Sequence, residues 1–232
     1  MLKGKVGIVI PDQHIPLIDK KAESVVLQAI EHIKPDIFIN LGDVGEWNEF
    51  SSHKKGKPLP IVTQLPDKIA AVKTVNKGID RFDRVLDKYV SEKYMCIGNH
   101  DMWIDQWRER EAPFLKEWTF QEQCRLDERG YKWVTYNDVI TLGKISFTHG
   151  MYATQNHAKK HLDSFGTSIC YGHTHDVQRY SNSRLNDGAI GAWSMGCLKD
   201  MSPEANTWLR GRLVRWSHAF GIVTWFVGGN FQ

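Results

Sequence analysis

The feature that most constrains the fold is a set of polar clusters, each of which directly follows a short apolar run. Each cluster combines a glycine or proline with acidic, amide or imidazole side chains. The five clusters are Pro11-Asp12-Gln13-His14, Leu41-Gly42-Asp43, Gly98-Asn99-His100-Asp101, Thr148-His149-Gly150 and Gly172-His173-Thr174-His175. Ligands of open α/β sheets bind at the carboxyl ends of the strands. We therefore expect these clusters, although distant in sequence, to converge on one site.

The segments between the first three clusters predict alternating strands and helices. Buried strands are expected at KVGIVI (5–10), DIFINL (36–41) and YMCIG (94–98). Apolar residues at helical spacing predict one helix from Lys20 to Ile33, with Asp19 as its N-cap. The same spacing predicts a longer helix from Asp67 to Tyr89. Strands and helices in this order are typical of a sheet built from crossover connections.

The second half of the chain has a different composition. Residues 103–137 are rich in Trp, Glu and Arg, and we expect a helical insertion that extends to about Gly130. Two further strands are predicted at KISFTH (144–149) and SICYG (168–172). A helical segment is expected between them, around 154–164.

Beyond Gln178 the pattern favours β structure alone, ending in HAFGIVTWFV (218–227). We find no internal repeat and no low-complexity linker. Residues 1–232 are therefore interpreted as one domain.

Composition excludes few functions. Hydrophobic residues make up 41% of the chain and charged residues 25%, which is typical of a globular protein and excludes a disordered one. A net charge of +3 permits an anionic substrate without requiring a nucleic acid. No apolar stretch reaches the ~20 residues needed to cross a bilayer, and from the pattern of the N-terminus we expect no secretory leader. With no paired cysteine spacing, we expect reduced thiols and a soluble, cytoplasmic protein without a membrane partner.

The residue types in the five clusters indicate a metal site. Asp, His and Asn offer oxygen and imidazole ligands without a thiolate, which suits Mn²⁺, Fe, Zn²⁺ or Ni²⁺. Seven such groups are too many for one ion with open positions and are about right for two ions that share a carboxylate. The candidate ligands are Asp12, His14, Asp43, Asn99, His149, His173 and His175.

The order of the clusters over residues 12–175, D-x-H, G-D, G-N-H-D, H and G-H-x-H, resembles the signature of the calcineurin-like metallophosphoesterases. The fold that this resemblance implies is α/β, a four-layer α-β-β-α sandwich of two mixed sheets flanked by helices, with the helical insertion around 103–130. The later motifs Phe165-Gly166-Thr167-Ser168 and Gly196-Cys197-Leu198 are similar to a subgroup often encoded by bacteriophages. For a phage protein, the cytoplasm of the host cell is the expected location.

The resemblance also implies a role for each candidate residue. Two sets of three would each hold one divalent ion: Asp12, His14 and His175 for the first, and Asn99, His149 and His173 for the second. Asp43 would bridge the two ions together with a hydroxide, and Mn²⁺ is the expected metal. His100 would face the scissile phosphate and assist the leaving group, and Asp101 would support His100.

A basic loop near the second cluster is a candidate for substrate binding. The loop SSHKKGK (51–57) follows Asp43 closely, so it should lie near the mouth of the site. Its residues His53, Lys54 and Lys55 are predicted to contact a phosphate backbone. A solvated loop with ordinary charges is an equal alternative.

Aromatic residues beside arginines allow two interpretations: a surface that binds the substrate or a partner, or packing that supports the fold. Arg210, Arg212 and Arg215 must largely reach solvent, and with Trp208 and Trp216 they are predicted to contact the substrate or a partner. For the insertion, packing onto the sheet is favoured over a stacking surface for bases. The insertion residues concerned are Trp103, Trp107 and Trp118, with Arg108 and Arg110.

Two further histidines, His157 and His161, are four positions apart on a predicted helix and could clamp a metal. Asn156 and two lysines surround them. A solvated helix face is therefore the favoured interpretation.

Three functions remain after these comparisons of motifs. The second cluster reads Gly42-Asp43-Val44-Gly45-Glu46-Trp47 and lacks the arginine of the Ser/Thr protein phosphatases that it resembles, which disfavours that class. The leading hypothesis is hydrolysis of phosphodiesters in nucleic acid or nucleotides, with DNA or RNA as candidate substrates. The alternatives are a broad-specificity phosphomonoesterase on small molecules and a non-catalytic scaffold.

Overall fold

Strands that carry apolar residues on both faces are stable only between two other layers. The computed structural model describes residues 2–52, 59–184 and 188–232 and contains two five-stranded sheets. Sheet 1 is formed by β1 (Val6–Ile10), β2 (Ile37–Asn40), β3 (Glu92–Cys96), β4 (Tyr131–Val134) and β10 (Gly221–Thr224). Sheet 2 is formed by β5 (Ile140–Leu142), β6 (Ile145–Thr148), β7 (Ser168–Tyr171), β8 (Arg179–Arg184) and β9 (Gly188–Ser194). The helices are α1 (Lys20–Ile33), α2 (Ile61–Leu86), α3 (Trp103–Glu111), α4 (Phe120–Gln123) and α5 (His157–Phe165).

Both sheets are mixed. Sheet 1 has the order β10-β1-β2-β3-β4, in which β1 to β4 are parallel and β10 is antiparallel to β1. Sheet 2 has the order β5-β6-β7-β9-β8, with a parallel centre and antiparallel edge strands. In the β1–β2 pair Ile10 lies opposite Asn40, so these two strands end at the same level of the sheet. The polar clusters that follow them are therefore side by side.

Alternating side chains divide the core into layers. In β2, Phe38 packs beneath the helices, whereas Ile37 and Ile39 lie between the two sheets. In β7, Cys170 lies between the sheets and Tyr171 packs with α5. The layers are therefore helices, sheet 1, sheet 2 and α5, which confirms the predicted four-layer sandwich.

The helix boundaries follow from local chemistry. The carboxylate of Asp19 accepts hydrogen bonds from the backbone N–H groups of Lys21 and Ala22, and α1 spans the predicted residues. Helix α2 begins at Ile61, six residues before the predicted start. Pro66 lies in its second turn, where a proline removes only one backbone hydrogen bond and the helix continues.

The insertion after β3 contains α3 and α4 joined by turns, and β4 begins directly after it, at Tyr131. Beyond Gln178 the prediction of β structure alone is wrong for residues 195–220, which contain a 3₁₀ turn at Thr207–Leu209. Several of their backbone groups bond to loops at strand ends: Leu198 N–H donates to Asp12 O and Ser217 N–H to His175 O. Part of this segment, residues 205–216, borders the site described below, and we call it the C-terminal wall.

Candidate metal centre

The structure brings the five polar clusters together at the carboxyl ends of the strands. Asp43 follows β2, and the other clusters follow β1, β3, β6 and β7. The ligand atoms of Asp12, His14, Asp43 and His175 all lie within 4.8 Å of one another, as do those of Asp43, His149 and His173. Asn99 joins the second set, because its Oδ1 lies 2.9 Å from His149 Nε2 and 2.8 Å from His173 Nδ1. The two sets share Asp43.

The donor atoms fit divalent cations. His14 Nε2 and His175 Nε2 face each other at 3.0 Å, so at least one nitrogen directs a lone pair towards the other. Asp43 Oδ2 lies 3.4 Å from His149 Nε2 and 3.7 Å from His14 Nε2. Acceptors that converge in this way would be satisfied by cations, and oxygen with imidazole ligands suits first-row divalent metals. These residues therefore fit the binding of divalent metal.

Burial and charge prepare these groups for a cation. Burial lowers the pKa values of His14 and His173 to about 4, so both imidazoles are neutral near pH 7. Burial alone would raise the pKa of Asp43, but the neighbouring His149 and His100 outweigh it and hold this pKa well below its usual range. Burial would lower the pKa of His149, but the charge of Asp43 raises it to about 9. A cation that binds at Asp43 would displace this proton, so metal binding should release a proton.

The backbone at the clusters is strained. Asp12, Asp43 and three candidate histidine ligands have positive φ angles, between 20° and 71°, which non-glycine residues adopt rarely. A side chain on Gly98 would overlap the backbone nitrogen and carboxylate of Asp43. Glycine is therefore required where the second and third clusters meet. The three histidines are His14, His173 and His175.

Glu46 and Lys199 lie next to His14, and sequence analysis missed both. Glu46 Oε2 lies 2.8 Å from His14 Nδ1 and accepts a hydrogen bond from the buried Lys199 Nζ at 2.8 Å. Burial would raise the pKa of Glu46, but His14 and Lys199 lower it to about 2. The carboxylate therefore lies as a charged partner beside Nδ1 of His14, whose Nε2 faces His175 in the centre. The available signal was the position of Glu46, three residues after Asp43 in the second cluster.

His100 lies at the edge of the centre. Its Nδ1 donates a 3.0 Å hydrogen bond to the Glu46 carbonyl oxygen, and its ring lies 4.0 Å from that of Trp103. The Asp101 carboxylate accepts hydrogen bonds from the Gly98 N–H, the Val44 N–H and Trp47 Nε1. The predicted support of His100 by Asp101 is thus indirect: Asp101 braces the loops, and the Glu46 carbonyl holds the ring.

A cavity of about 990 Å³ opens over the centre. Its lining includes His100, the first residue of α3 (Trp103), and three residues of the C-terminal wall: Trp208, Arg215 and Trp216. This volume is at the upper end of the range of about 300–1,000 Å³ for small-molecule sites, so the cavity accommodates more than a phosphate group.

The predicted substrate-binding residues have different outcomes. His53, Lys54 and Lys55 lie outside the described residues. Arg210 and Arg212 are exposed, but the arginine that lines the cavity is Arg215. Sequence order alone could not distinguish these three arginines, because their directions depend on the 3₁₀ turn that precedes them.

The tryptophans of the insertion differ in how deeply they are buried. Trp107 is buried against Phe50 and Trp118, as the packing hypothesis predicts. Trp103 is only half-buried, because it lies over His100 and faces the cavity.

The predicted solvated face at His157 and His161 is wrong, since both residues are buried. The two ring nitrogens of His157 lie 2.7 Å from the Tyr171 hydroxyl and 3.0 Å from Asp176 Oδ2. His161 stacks on the Tyr171 ring at 3.7 Å, and its Nε2 accepts the Met151 N–H. These partners come from β7 and from the loops around the centre, which helix periodicity does not reveal.

The chain matches the family model described as calcineurin-like phosphoesterase over residues 8–177. The chain belongs to this family. The chain is similar to the Gene 54 protein of Mycobacterium phage D29, with 27% identity over 96% of this chain and 89% of the relative. Its identity to the Gene 54 protein of Mycobacterium phage L5 is 28%, over 94% and 88% of the two chains. These relatives agree with the resemblance to a phage-encoded subgroup.

Among solved structures, the chain aligns with Vacuolar Protein Sorting 29 from Cryptosporidium parvum at 13% identity. That alignment covers 95% of this chain and 85% of the other, with a TM-score of 0.47. A Vps29 single mutant from Entamoeba histolytica aligns at 12% identity over 98% and 96% of the chains, with a TM-score of 0.43. Among the described residues of the chain, none of the helices is both long and apolar enough to cross a membrane.

Proposed function

We propose that this phosphoesterase hydrolyses phosphodiesters of nucleic acids or nucleotides at a dinuclear metal centre. Two sets of donor atoms that share Asp43 support the dinuclear arrangement. The observation that favours a diester is the cavity, whose lining includes Trp103 beside His100 and Trp208 beside Trp216. A diester has an organic group on each side of its phosphorus atom, so it needs space in both directions.

The residues of the chain have separate tasks in this proposal. Two divalent ions bound here would neutralise the anionic phosphate and provide a hydroxide nucleophile near neutral pH. Asp43 remains ionised, and Glu46 keeps His14 directed at the centre. The backbone carbonyl oxygen of Glu46 accepts a hydrogen bond from the Nδ1–H of His100, so Nε2 is available to the substrate. From there, the protonated ring would donate a proton to the leaving alkoxide and become neutral.

Activity measurements with Mn²⁺ test the proposal. The substrates are bis-p-nitrophenyl phosphate, p-nitrophenyl phosphate, and labelled single- and double-stranded DNA. We expect diester cleavage that is abolished in His100→Ala and Asp43→Ala and preserved in His32→Ala, which alters an exposed histidine.

Each alternative has its own outcome. Cleavage of the monoester alone would replace the proposal with a phosphomonoesterase. Two bound ions without turnover of any substrate would favour a scaffold. Diester cleavage that survives in His100→Ala would remove the assigned role of His100.

A further inference from the structure

A run of aromatic rings extends from the candidate metal centre to solvent. Trp216 packs edge-on against the ring of His175, with centroids 4.6 Å apart. Trp208 follows at 6.0 Å from Trp216, and 55% of Trp208 is exposed. Burial of a large aromatic side chain stabilises the fold. A tryptophan that stays exposed at the edge of a cavity therefore indicates a binding surface.

Arg215 adds a cation to the same wall. It is exposed and lines the cavity beside Trp216. Arg129, by contrast, is paired with Asp80 and Asp83. Within residues 2–52, 59–184 and 188–232, no carboxylate forms an ion pair with Arg215. Its guanidinium is therefore available to a phosphate or to the face of a planar ring.

The wall that carries these side chains is fixed to the centre. The Ser217 N–H donates to the His175 carbonyl oxygen at 2.9 Å, and Asp176 pairs with Trp216 through an isolated β-bridge. At the other end of the wall, the buried amide of Asn206 donates to the carbonyl oxygens of Asp200 and Ser202. Hydrogen bonds at both ends of the wall thus hold the segment that carries Trp208 and Arg215.

We propose that Trp208, Trp216 and Arg215 form a subsite for the planar base of a nucleotide ester whose phosphate lies at the metal centre. This inference rests on the proposed function, because it assigns one organic group of the diester to the C-terminal wall. Stacking of a base on an aromatic side chain contributes about 1–3 kcal/mol and tolerates any base. The subsite therefore selects nucleotide esters over aliphatic phosphate esters without selecting a sequence.

Two diesters with the same leaving group isolate this subsite. One is p-nitrophenyl thymidine 5′-phosphate, and the other is methyl p-nitrophenyl phosphate. With Mn²⁺, we expect kcat/KM of the native protein to be about tenfold or more higher for the nucleoside ester, the factor that base stacking allows. Trp208→Ala and Arg215→Ala should lower this ratio about five- to tenfold, and Trp208→Phe should restore most of it.

The controls alter neighbouring or similar side chains outside the cavity. Leu213→Ala removes an exposed apolar side chain of the same wall, and Arg84→Ala removes an exposed arginine on α2. Neither should change the ratio. Arg210→Ala and Arg212→Ala identify which arginine acts: a loss of the ratio in these variants but not in Arg215→Ala would overturn the assignment of Arg215.

A binding measurement separates this inference from the proposed function. Thymidine 5′-monophosphate should quench the tryptophan fluorescence of the native protein, inorganic phosphate should not, and Trp208→Ala should lose most of the quenching. If neither diester is cleaved but this quenching is seen, the proposed function fails and the subsite stands. Equal kcat/KM for the two diesters, or quenching that is unchanged in Trp208→Ala, would overturn the subsite.

Discussion

The candidate metal centre and the C-terminal wall touch each other, yet they are built in opposite ways. Asp12 and His14 are almost completely buried, and strained backbone and hydrogen bonds between distant loops hold them. In the wall, Trp208 is 55% exposed and Leu213 is fully exposed. Mutations in the centre should therefore affect metal binding and stability, whereas mutations in the wall should affect the choice of substrate. The following predictions test this division.

The largest effect is expected at the carboxylate that the two donor sets share. Asp43→Asn keeps the shape of the side chain but removes the charge that lies beside His149 and His14. Removing one member of a buried charged arrangement costs about 3–5 kcal/mol. We expect Mn²⁺ affinity to fall by at least about 100-fold and diester cleavage to be lost. Isothermal titration and elemental analysis measure the bound metal, and two ions bound with native affinity would contradict the shared role of Asp43.

A pair of tryptophans tests the division through stability. Trp107 is 1% exposed and packs against Phe50, so Trp107→Ala should lower the free energy of unfolding by about 3–5 kcal/mol. Trp208→Ala should change it by no more than about 0.5 kcal/mol. Guanidinium denaturation of both variants makes the comparison. Similar losses in the two variants would mean that Trp208 supports the fold and that the wall is not a separate binding surface.

Strand periodicity and the Asp19 cap predicted individual elements and the convergence of the clusters, because these are local signals. The layered fold followed from the family that the order of the motifs resembles. The sequence did not predict the path of residues 195–220, whose hydrogen bonds go to loops distant in sequence. It also missed the burial of His157 and His161, because the polar partner that both contact, Tyr171, belongs to another element. Properties that depend on such partners require the tertiary structure.

Glu46 is an intermediate case. Its position in the second cluster could be read from the sequence, but its partners His14 and Lys199 could not. Glu46→Gln should weaken the orientation of His14 and lower Mn²⁺ affinity about 10–100-fold, as is usual for groups that orient a metal ligand. Titration with Mn²⁺ measures the effect independently of activity. Glu49→Gln, three residues along the chain, is the matched control. An unchanged affinity in Glu46→Gln would show that burial alone positions His14.

The smallest predicted effect is a pH dependence at His161, which holds the loop after His149. Burial lowers the pKa of His161 from its ordinary value of 6.5 to about 4, and Nε2 must stay unprotonated to accept the Met151 N–H. Because the folded pKa lies below the unfolded one, this contribution to stability is complete above pH 6.5. It is lost progressively as the pH falls from 6.5 to about 4. Between pH 7 and pH 5, the native protein should lose about 2 kcal/mol more of its unfolding free energy than His161→Gln does.

Urea denaturation at the two pH values measures this difference, with His32→Gln as the control at an exposed histidine. Other buried histidines, such as His14 and His173, also have lowered pKa values, but they are common to both proteins and cancel in the comparison. If His161→Gln shows the native pH dependence, protonation of the candidate ligands alone must destabilise the fold in acid. If the difference appears, the loop that carries His149 depends on the hydrogen bond that His161 of α5 accepts from Met151, and His161 is not one of the candidate ligands.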